Sequence, residues 1–161
     1  MIVIIMGVVG AGKTTVGSLL AQQLHWEFAD ADDFHPPSNV EKIRQGIPLT
    51  DADREPWLER LSQAVADWIA AKTNVVLACS ALKCQYRQKL SVGPEVRFVY
   101  LKGSASLIAK RLHARHGHFA GESILASQVA DLEEPRGAVV ADITQTPSQI
   151  VDDIRKQLGL G

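Results

Sequence analysis

Short apolar runs alternate along the chain with stretches in which apolar residues recur every three or four positions. The apolar runs predict five β-strands, at residues 2–6, 27–30, 75–79, 96–101 and 138–143. The first run is continuous and β-branched, which is typical of a strand buried on both faces. Strands that alternate with helices indicate an α/β fold, so we expect a three-layer α/β/α arrangement around a five-stranded parallel sheet.

The helical spacing predicts helices at residues 13–24, 57–69, 104–115 and 147–158. Trp57 begins the clearest of them, because apolar side chains then recur at intervals of three and four. Two zones interrupt the pattern. Prolines and a glycine break it at residues 36–48, and glycines break it again at residues 117–121. We expect loops or small mobile insertions in these two zones rather than parts of the core.

Composition places the chain among ordinary globular proteins. Its 161 residues are 46% apolar and 22% charged, which fits one domain, and its net charge of -1 argues against a general nucleic-acid or polybasic membrane binder. The early apolar run is far shorter than the roughly 20 residues that cross a bilayer and lacks signal-peptide features, so we expect a cytoplasmic protein. Cys79 and Cys84 lack the spacing of a metal or C-x-x-C site and are expected to be free thiols.

Residues 7–14 read Gly-Val-Val-Gly-Ala-Gly-Lys-Thr and match the phosphate-binding pattern G-x-x-x-x-G-K-[ST] at every fixed position. The glycines let backbone N–H groups turn inward around a phosphate, and the start of a helix adds a positive dipole end. Lys13 can reach the β- and γ-phosphates, and the Thr14 hydroxyl can ligate Mg²⁺. The predicted nucleotide-binding residues are Gly7, Val8, Val9, Gly10, Ala11, Gly12, Lys13, Thr14 and Thr15.

The rest of the chain narrows the class of nucleotide-binding protein. The Asn-Lys-x-Asp motif of GTPases is absent from the sequence, and 161 residues are few for a motor or transporter ATPase. Phosphoryl transfer from ATP to a small molecule is therefore the leading interpretation. Such a reaction needs a group that accepts the proton of the attacked hydroxyl.

Two carboxylates follow the second predicted strand, at the edge where open α/β sheets bind ligands. Asp30 and Asp32 are two residues apart, so their side chains would point the same way from an extended strand end. One could orient Mg²⁺ and the other could meet the acceptor. The alternative is a solvated acidic turn.

Several ordered motifs accompany the phosphate loop. They are Asp30-Ala31-Asp32, His35-Pro36, Asn39, Lys42, Gly46-Ile47-Pro48-Leu49, Asp51-x-Asp53-Arg54-x-Pro56-Trp57-Leu58, Cys79-Ser80-Ala81-Leu82-Lys83, Tyr86-Arg87, Arg115-x-Gly117-His118-Phe119, Ser127-Gln128 and Leu132-Glu133-x-Pro135. Together they resemble the gluconate kinases of bacteria and eukaryotes, over about residues 2 to 143. One departure is Ala31, where that family usually has glycine, and it adds a methyl group near the acceptor.

The resemblance implies a P-loop kinase fold shared with shikimate and adenylate kinases, formed by a single domain over residues 1–161. It implies an acceptor-binding segment at about residues 34–56 and a small lid at about residues 113–135. The implied reaction is the phosphorylation of D-gluconate by ATP to give 6-phosphogluconate, with Mg²⁺. The family also suggests a homodimer that acts on small molecules and on neither nucleic acid nor membranes.

Combined with the chemistry above, the resemblance implies catalytic roles for three residues. Asp32 would be the base, Lys13 would bind the phosphates, and Arg115 in the lid would face them. Asp30 and Thr14 would form the metal side of the site. Arg111 would stack on the adenine opposite the Pro147 region, although it could instead complement the dipole of its helix.

The resemblance also supplies candidates for the acceptor site. Gluconate is a carboxylate and needs a cation, for which Arg54, Lys83 and Arg87 are the candidates. Arg54 could alternatively form a surface ion pair with Asp51 or Asp53. His35 could contact a sugar hydroxyl or could cap its turn.

Two further hypotheses remain open at this stage. The chain could phosphorylate another small acceptor such as shikimate, although the long proline-rich acceptor motif argues against it. It could also be an ATP-binding regulatory module without turnover, although such a module needs no proton acceptor and no arginine-rich lid.

Overall fold

The computed structural model describes residues 1–116 and 122–161, with the side chains of all of these except residues 115, 116, 122 and 123. Five parallel strands form one sheet in the order β2-β3-β1-β4-β5. The strands are β1 (Ile2–Met6), β2 (Glu27–Asp30), β3 (Val75–Ala78), β4 (Val96–Lys102) and β5 (Val139–Asp142). The predicted five-stranded parallel sheet is therefore confirmed.

Within the described residues, seven helices connect and cover these strands. They are α1 (Lys13–Leu24), α2 (Pro37–Arg44), α3 (Asp51–Ala70), α4 (Cys84–Leu90), α5 (Ala105–His116), α6 (Glu122–Asp131) and α7 (Pro147–Leu158). None of the helices in this described part of the chain is long and apolar enough to cross a membrane. Cys79 is buried and Cys84 is exposed, and both are free thiols, as predicted.

Two apolar clusters sandwich the sheet and make the three layers. Alternate residues of a strand face opposite sides, so Val3 and Ile5 of β1 join one cluster while Ile2 and Ile4 join the other. The first cluster packs the sheet against α1, α5 and α7, and the second packs it against α3 and α4. All five residues of β1 are buried, which is the reason for its continuous apolar sequence.

The acceptor-binding segment is more regular than the sequence indicates. The expected loop at residues 36–48 contains α2, and α3 begins at Asp51, six residues before the apolar stripe starts at Trp57. A capping box starts α3 early, because the Thr50 hydroxyl accepts from the Asp53 N–H and the Asp53 carboxylate accepts from the Thr50 N–H. Pro56 consequently lies inside the helix.

Much of the predicted lid lies outside the described residues. This applies to Gly117, His118, Phe119 and Gly121, and to the side chains of Arg115 and His116. The described part of the segment consists of the end of α5 and the helix α6, which is followed by the turn at Glu133.

Candidate functional site

The phosphate loop connects the carboxyl end of β1 to the amino end of α1. Gly12 is the N-cap of α1 and has a φ of 99°, which favours glycine. Gly10 has a φ of 81°, and a Cβ atom there would lie 2.7 Å from the Leu112 side chain of α5. The loop therefore needs glycine both for its backbone shape and for the close approach of α5.

Lys13 and Thr14 are the first two residues of α1. The Lys13 ammonium donates to the Val8 carbonyl, 3.0 Å away, so the side chain folds back over the loop. The surrounding protein partly desolvates this ammonium and lowers its pKa, while the negative charges of Asp32 and Asp30 oppose the shift. Lys13 is thus a positive charge held between the loop and two carboxylates.

Asp30 ends β2 and faces the phosphate loop. The Thr14 hydroxyl donates to Asp30 Oδ2 over 3.2 Å. Two hard oxygen ligands side by side fit the requirements of Mg²⁺, which binds through one or two carboxylates and substrate phosphates and keeps several waters. Among the described residues, no cluster of three or more His, Cys, Asp or Glu side chains could hold a metal ion by itself.

Asp32 does not lie on an extended strand, so that part of the sequence interpretation is wrong. β2 ends at Asp30, and Asp32 lies in a short 3₁₀ turn at Ala31–Phe34. Asp30 caps the turn, because its Oδ1 accepts from the Asp32 N–H over 2.9 Å. The pKa of Asp32 is raised, first by desolvation in the cleft and then by the Asp30 charge, and Lys13 opposes the shift.

One cleft of about 300 Å³ is lined by many of the predicted phosphate and acceptor residues, namely Val9, Gly10, Gly12, Lys13, Thr14, Thr15, Asp30, Asp32, His35 and Arg54. One wall is the phosphate loop and α1, and another is the Asp30–His35 segment with Arg54 and Trp57 of α3. The remaining lining comes from the end of β3 and the residues after it, from α6 and from an apolar stretch of the acceptor segment, namely Ala78, Cys79, Ser80, Ile124, Ser127, Gln128, Ile43, Ile47, Pro48 and Leu49.

Arg54 is a buried cation on the acceptor wall, with a side chain 9% exposed. The alternative ion pair with Asp51 is present, with Nη1 lying 4.0 Å from Asp51 Oδ1, but the guanidinium of Arg54 is buried rather than at the surface. Its Nη1 donates to the Tyr86 hydroxyl over 2.8 Å and to Asp131 Oδ2 of α6 over 3.3 Å. The hydrogen bonds described for this guanidinium all use Nη1, so Nε and Nη2 have no partner among the described residues, and Arg54 lines the cleft. A buried guanidinium with two such donors can hold a carboxylate.

The network behind Arg54 explains the position of Lys83. Asp51 accepts from the Tyr86 hydroxyl and from the Lys83 ammonium, the latter over 2.9 Å. These two hydrogen bonds lower the pKa of Asp51. Lys83 is therefore paired with Asp51 and does not line the cleft, so the structure does not bring this predicted residue to the acceptor.

Arg87 also lies away from the cleft. Its guanidinium is buried and donates to the backbone carbonyls of Ala81, Leu82 and Glu133, at 2.7, 3.1 and 2.8 Å. These bonds hold the turn after α6 against the turn before α4. The geometry is that of a structural clamp and gives no support to the predicted contact with substrate.

His35 stacks on Trp57, with ring centroids 4.5 Å apart, and both rings line the cleft. Burial lowers the pKa of His35 to about 4, with a further contribution from the Arg54 charge, so the imidazole is neutral near pH 7. The Asn39 side-chain amide lies 3.2 Å from Nδ1 and donates to it, which places the ring hydrogen on Nε2. His35 thus offers a neutral N–H donor.

Trp57 supports the turn that carries Asp32. Its Nε1 donates to the Ala31 carbonyl over 2.7 Å, and both residues are buried. The methyl group of Ala31 belongs to the core cluster with Trp57 and is not part of the cleft lining. The departure from glycine at this position therefore adds no bulk to the acceptor wall.

A second cavity, of about 230 Å³, opens on the other side of the phosphate loop. Arg111 and Pro147 both line it, together with Gly10, Gly12 and Thr15. Arg111 is held there by a hydrogen bond of 2.6 Å from Nη2 to the Ile143 carbonyl. This arrangement fits the predicted adenine site, which stays a prediction.

Sequence reasoning assigned no role to several residues of the site. Gln128 of α6 accepts from the Val9 N–H over 2.6 Å, and Asp131 pairs with Arg54. Asn39 is buried and donates to the Asp53 carbonyl over 2.7 Å. All three stand in or beside the quoted motifs. A polar residue four positions after His35 could have indicated a helical contact, but no sequence spacing shows that α6 reaches Val9.

Comparisons with known proteins identify the family to which this chain belongs. Residues 9–158 match the family model described as Shikimate kinase. The thermoresistant gluconokinase of Escherichia coli is 43% identical over 93% of this chain and 89% of its own length. The crystal structure of a gluconokinase from Sinorhizobium meliloti superimposes with a TM-score of 0.88 at 41% identity, covering 98% of this chain and 90% of that one. This chain belongs to the shikimate kinase family and, within it, to the gluconokinases.

The resemblance deduced from the sequence motifs and the P-loop kinase fold are therefore confirmed. The crystal structure of a shikimate kinase from Aquifex aeolicus has a TM-score of 0.60 at 18% identity, and it shows a shared fold alone. The two gluconokinases named above are more than 40% identical to this chain over about nine-tenths of their own length, which argues against the alternative of shikimate as acceptor.

Proposed function

We propose that this chain transfers the γ-phosphoryl group of ATP to the 6-hydroxyl of D-gluconate, giving 6-phospho-D-gluconate and ADP. The carrying observation is that the phosphate loop with Lys13, the carboxylate of Asp32 and the buried cation Arg54 line one cleft. A phosphate site, a proton acceptor and a carboxylate site in one enclosure are the parts that this reaction needs.

Arg54 and His35 would orient the acceptor. The Nε and Nη2 groups of Arg54 would hold the gluconate carboxylate, since Nη1 is bound to Tyr86 and Asp131. The Nε2–H of His35 would donate to a hydroxyl of the polyol chain. Because its pKa is about 4, this imidazole keeps the same protonation state throughout the neutral range.

Asp32 would take the proton of the 6-hydroxyl. Desolvation and the Asp30 charge raise its pKa, which makes the carboxylate a stronger base than a solvated aspartate. Its 3₁₀ turn is fixed by Asp30 and by the Trp57 hydrogen bond to Ala31. The acceptor oxygen would therefore meet a positioned base while it attacks the γ-phosphate in line.

Lys13 and the loop N–H groups would hold the phosphates, and Arg115 of the lid would face them, as the family resemblance implies. Thr14 and Asp30 would hold Mg²⁺, whose charge neutralises the phosphate oxygens when it is bound. We also propose that the adenine lies between Arg111 and Pro147. The protein would be a cytoplasmic homodimer that acts on small molecules alone.

A coupled ADP-release assay tests this function. Purified protein, ATP and Mg²⁺ would be offered D-gluconate, related sugar acids and shikimate, with Lys13→Ala as the control for contaminating kinases. We expect turnover with D-gluconate that the control lacks. Turnover with shikimate and not with gluconate would show that shikimate is the acceptor. ATP binding without turnover on any acid would favour the regulatory module.

A further inference from the structure

Gln128 connects α6 to the phosphate loop, although 119 positions separate it from its partner. The Val9 N–H donates to Gln128 Oε1 over 2.6 Å. Because Val9 contributes the hydrogen, the atom that faces it must be the amide oxygen, and Nε2 is the other branch of the carboxamide. Within the described part of the chain, Nε2 has no hydrogen-bond acceptor, so its two hydrogens are available to a ligand.

The end of the loop that Gln128 contacts is the acceptor end. Val9 and Gln128 both line the cleft that contains Asp32 and Arg54. Neither of them lines the cavity of Arg111 and Pro147 on the other side of the loop. A nucleotide that spans the loop with its base beside Arg111 would place its terminal phosphate at Val9, where the acceptor hydroxyl must meet it.

The position of Gln128 is fixed on both sides along α6. Leu125, one turn earlier, is 5% exposed and belongs to a core cluster. Asp131, one turn later, pairs with Arg54 over 3.3 Å. The carboxamide is therefore held before a ligand arrives, which is the condition under which a hydrogen-bond donor stabilises developing charge well.

We propose that Gln128 recognises the terminal phosphate of ATP, with Oε1 held by the Val9 N–H and Nε2 donating to a γ-phosphate oxygen. The inference rests on the proposed function for the identity of the nucleotide and adds a residue that distinguishes ATP from ADP. After transfer the oxygen that Nε2 binds leaves with the product, so the contact is present with ATP and absent with ADP.

Nucleotide binding by Gln128→Glu tests this directly. The substitution keeps the length of the side chain and an oxygen for Val9, but it replaces the donor with a carboxylate that repels phosphate. By calorimetry without gluconate, we expect a non-hydrolysable ATP analogue to bind at least tenfold more weakly and ADP to change by less than about twofold. Turnover should fall by about 10²–10³-fold, as for the loss of one preorganised donor.

Ala126→Glu is the matched control, because Ala126 is exposed on the same helix and does not line the cleft. It adds the same charge to α6 and should leave both affinities unchanged. Equal weakening of ADP and of the analogue by Gln128→Glu would reduce Gln128 to a packing contact, and unchanged affinities with normal turnover would remove its role altogether.

The outcome is separable from that of the proposed function. Nucleotide selectivity is measured without an acceptor, so a wild-type protein that phosphorylates no sugar acid would refute the gluconate reaction alone. In that case, a Gln128→Glu variant that binds the ATP analogue more weakly, while its affinity for ADP changes little, would still support the Gln128 proposal.

Discussion

The phosphate loop and the acceptor wall meet in one cleft but are built in different ways. The loop motif is a single stretch of eight residues that runs from the end of β1 into the first turn of α1, and its backbone forms the binding surface. The acceptor wall takes side chains from the turn after β2, from α3 and from α6, and a hydrogen-bond network joins them. A local site can be read from consecutive residues, whereas a site assembled from distant segments depends on packing.

The two regions also differ in how strongly their binding groups depend on neighbouring side chains. The loop binds phosphate through its backbone N–H groups, so its recognition of phosphate depends on the backbone shape of one segment and not on a network of side chains. Arg54 instead depends on Tyr86, Asp51 and Asp131, which neutralise and orient a buried charge. Removing one member of such a network leaves the other charges unpaired, at a cost of several kcal/mol.

Asp32→Asn should show the largest effect, because Asp32 belongs to the acceptor wall and would take the proton of the hydroxyl that attacks the phosphate held by the loop. The amide keeps the size of the side chain and is a far weaker base. We expect turnover to fall by about 10²–10⁴-fold, the usual contribution of a general base, while ATP affinity by calorimetry changes little. Asp33→Asn, at the neighbouring position that does not line the cleft, is the control and should stay near wild type. A fully active Asp32→Asn enzyme would remove Asp32 from the base role.

Arg54→Lys should affect the binding of gluconate at the acceptor wall and leave the binding of ATP at the phosphate loop almost unchanged. Lysine keeps the charge but loses the planar pair of donors. Breaking a buried, hydrogen-bonded charge pair costs about 2–5 kcal/mol, so we expect KM for gluconate to rise by about 1.5 to 3.5 orders of magnitude while KM for ATP changes little.

Arg87→Lys is the matched control, because Arg87 is equally buried but binds backbone carbonyls outside the cleft. It should lower the melting temperature without a selective effect on gluconate. If Arg87→Lys raised KM for gluconate as much as Arg54→Lys does, the assignment of the carboxylate to Arg54 alone would be wrong.

The sequence predicts the sheet, its parallel strands and the phosphate loop because each depends on neighbouring residues. It misplaces the start of α3, since the capping box at Thr50 and Asp53 precedes the apolar stripe. It also nominates Arg54, Lys83 and Arg87 equally, although only Arg54 lines the cleft among them. Three cations in similar motifs look alike in sequence. The Asp51 partner of Lys83 is 32 positions away, and Arg87 binds the Glu133 carbonyl, 46 positions away, in addition to two nearby carbonyls.

Trp57→Phe tests how far the acceptor wall depends on packing beneath it. Phenylalanine removes the N–H that binds the Ala31 carbonyl and leaves this buried oxygen unsatisfied, which costs about 1–3 kcal/mol of stability. Because the same turn carries Asp32, turnover should also fall, with ATP affinity retained. Trp68→Phe, in the same helix but half-buried, is the control for the loss of an indole. If the two variants behave alike, the Trp57 hydrogen bond does not position the turn.

The two capping boxes give the smallest and most symmetrical test. Thr50 caps α3, which carries Arg54, and Thr146 caps α7, which begins with Pro147 beside the nucleotide cavity. Thr50→Ala and Thr146→Ala should each cost about 1 kcal/mol in chemical denaturation, because each removes one side-chain acceptor from a helix start. Their kinetic effects should differ: Thr50→Ala should raise KM mainly for gluconate, and Thr146→Ala mainly for ATP, each by a few fold. Equal losses of stability with opposite effects on the two KM values would show that each helix start positions the binding cavity beside it. The same change in both KM values would mean that the two cavities move as one unit.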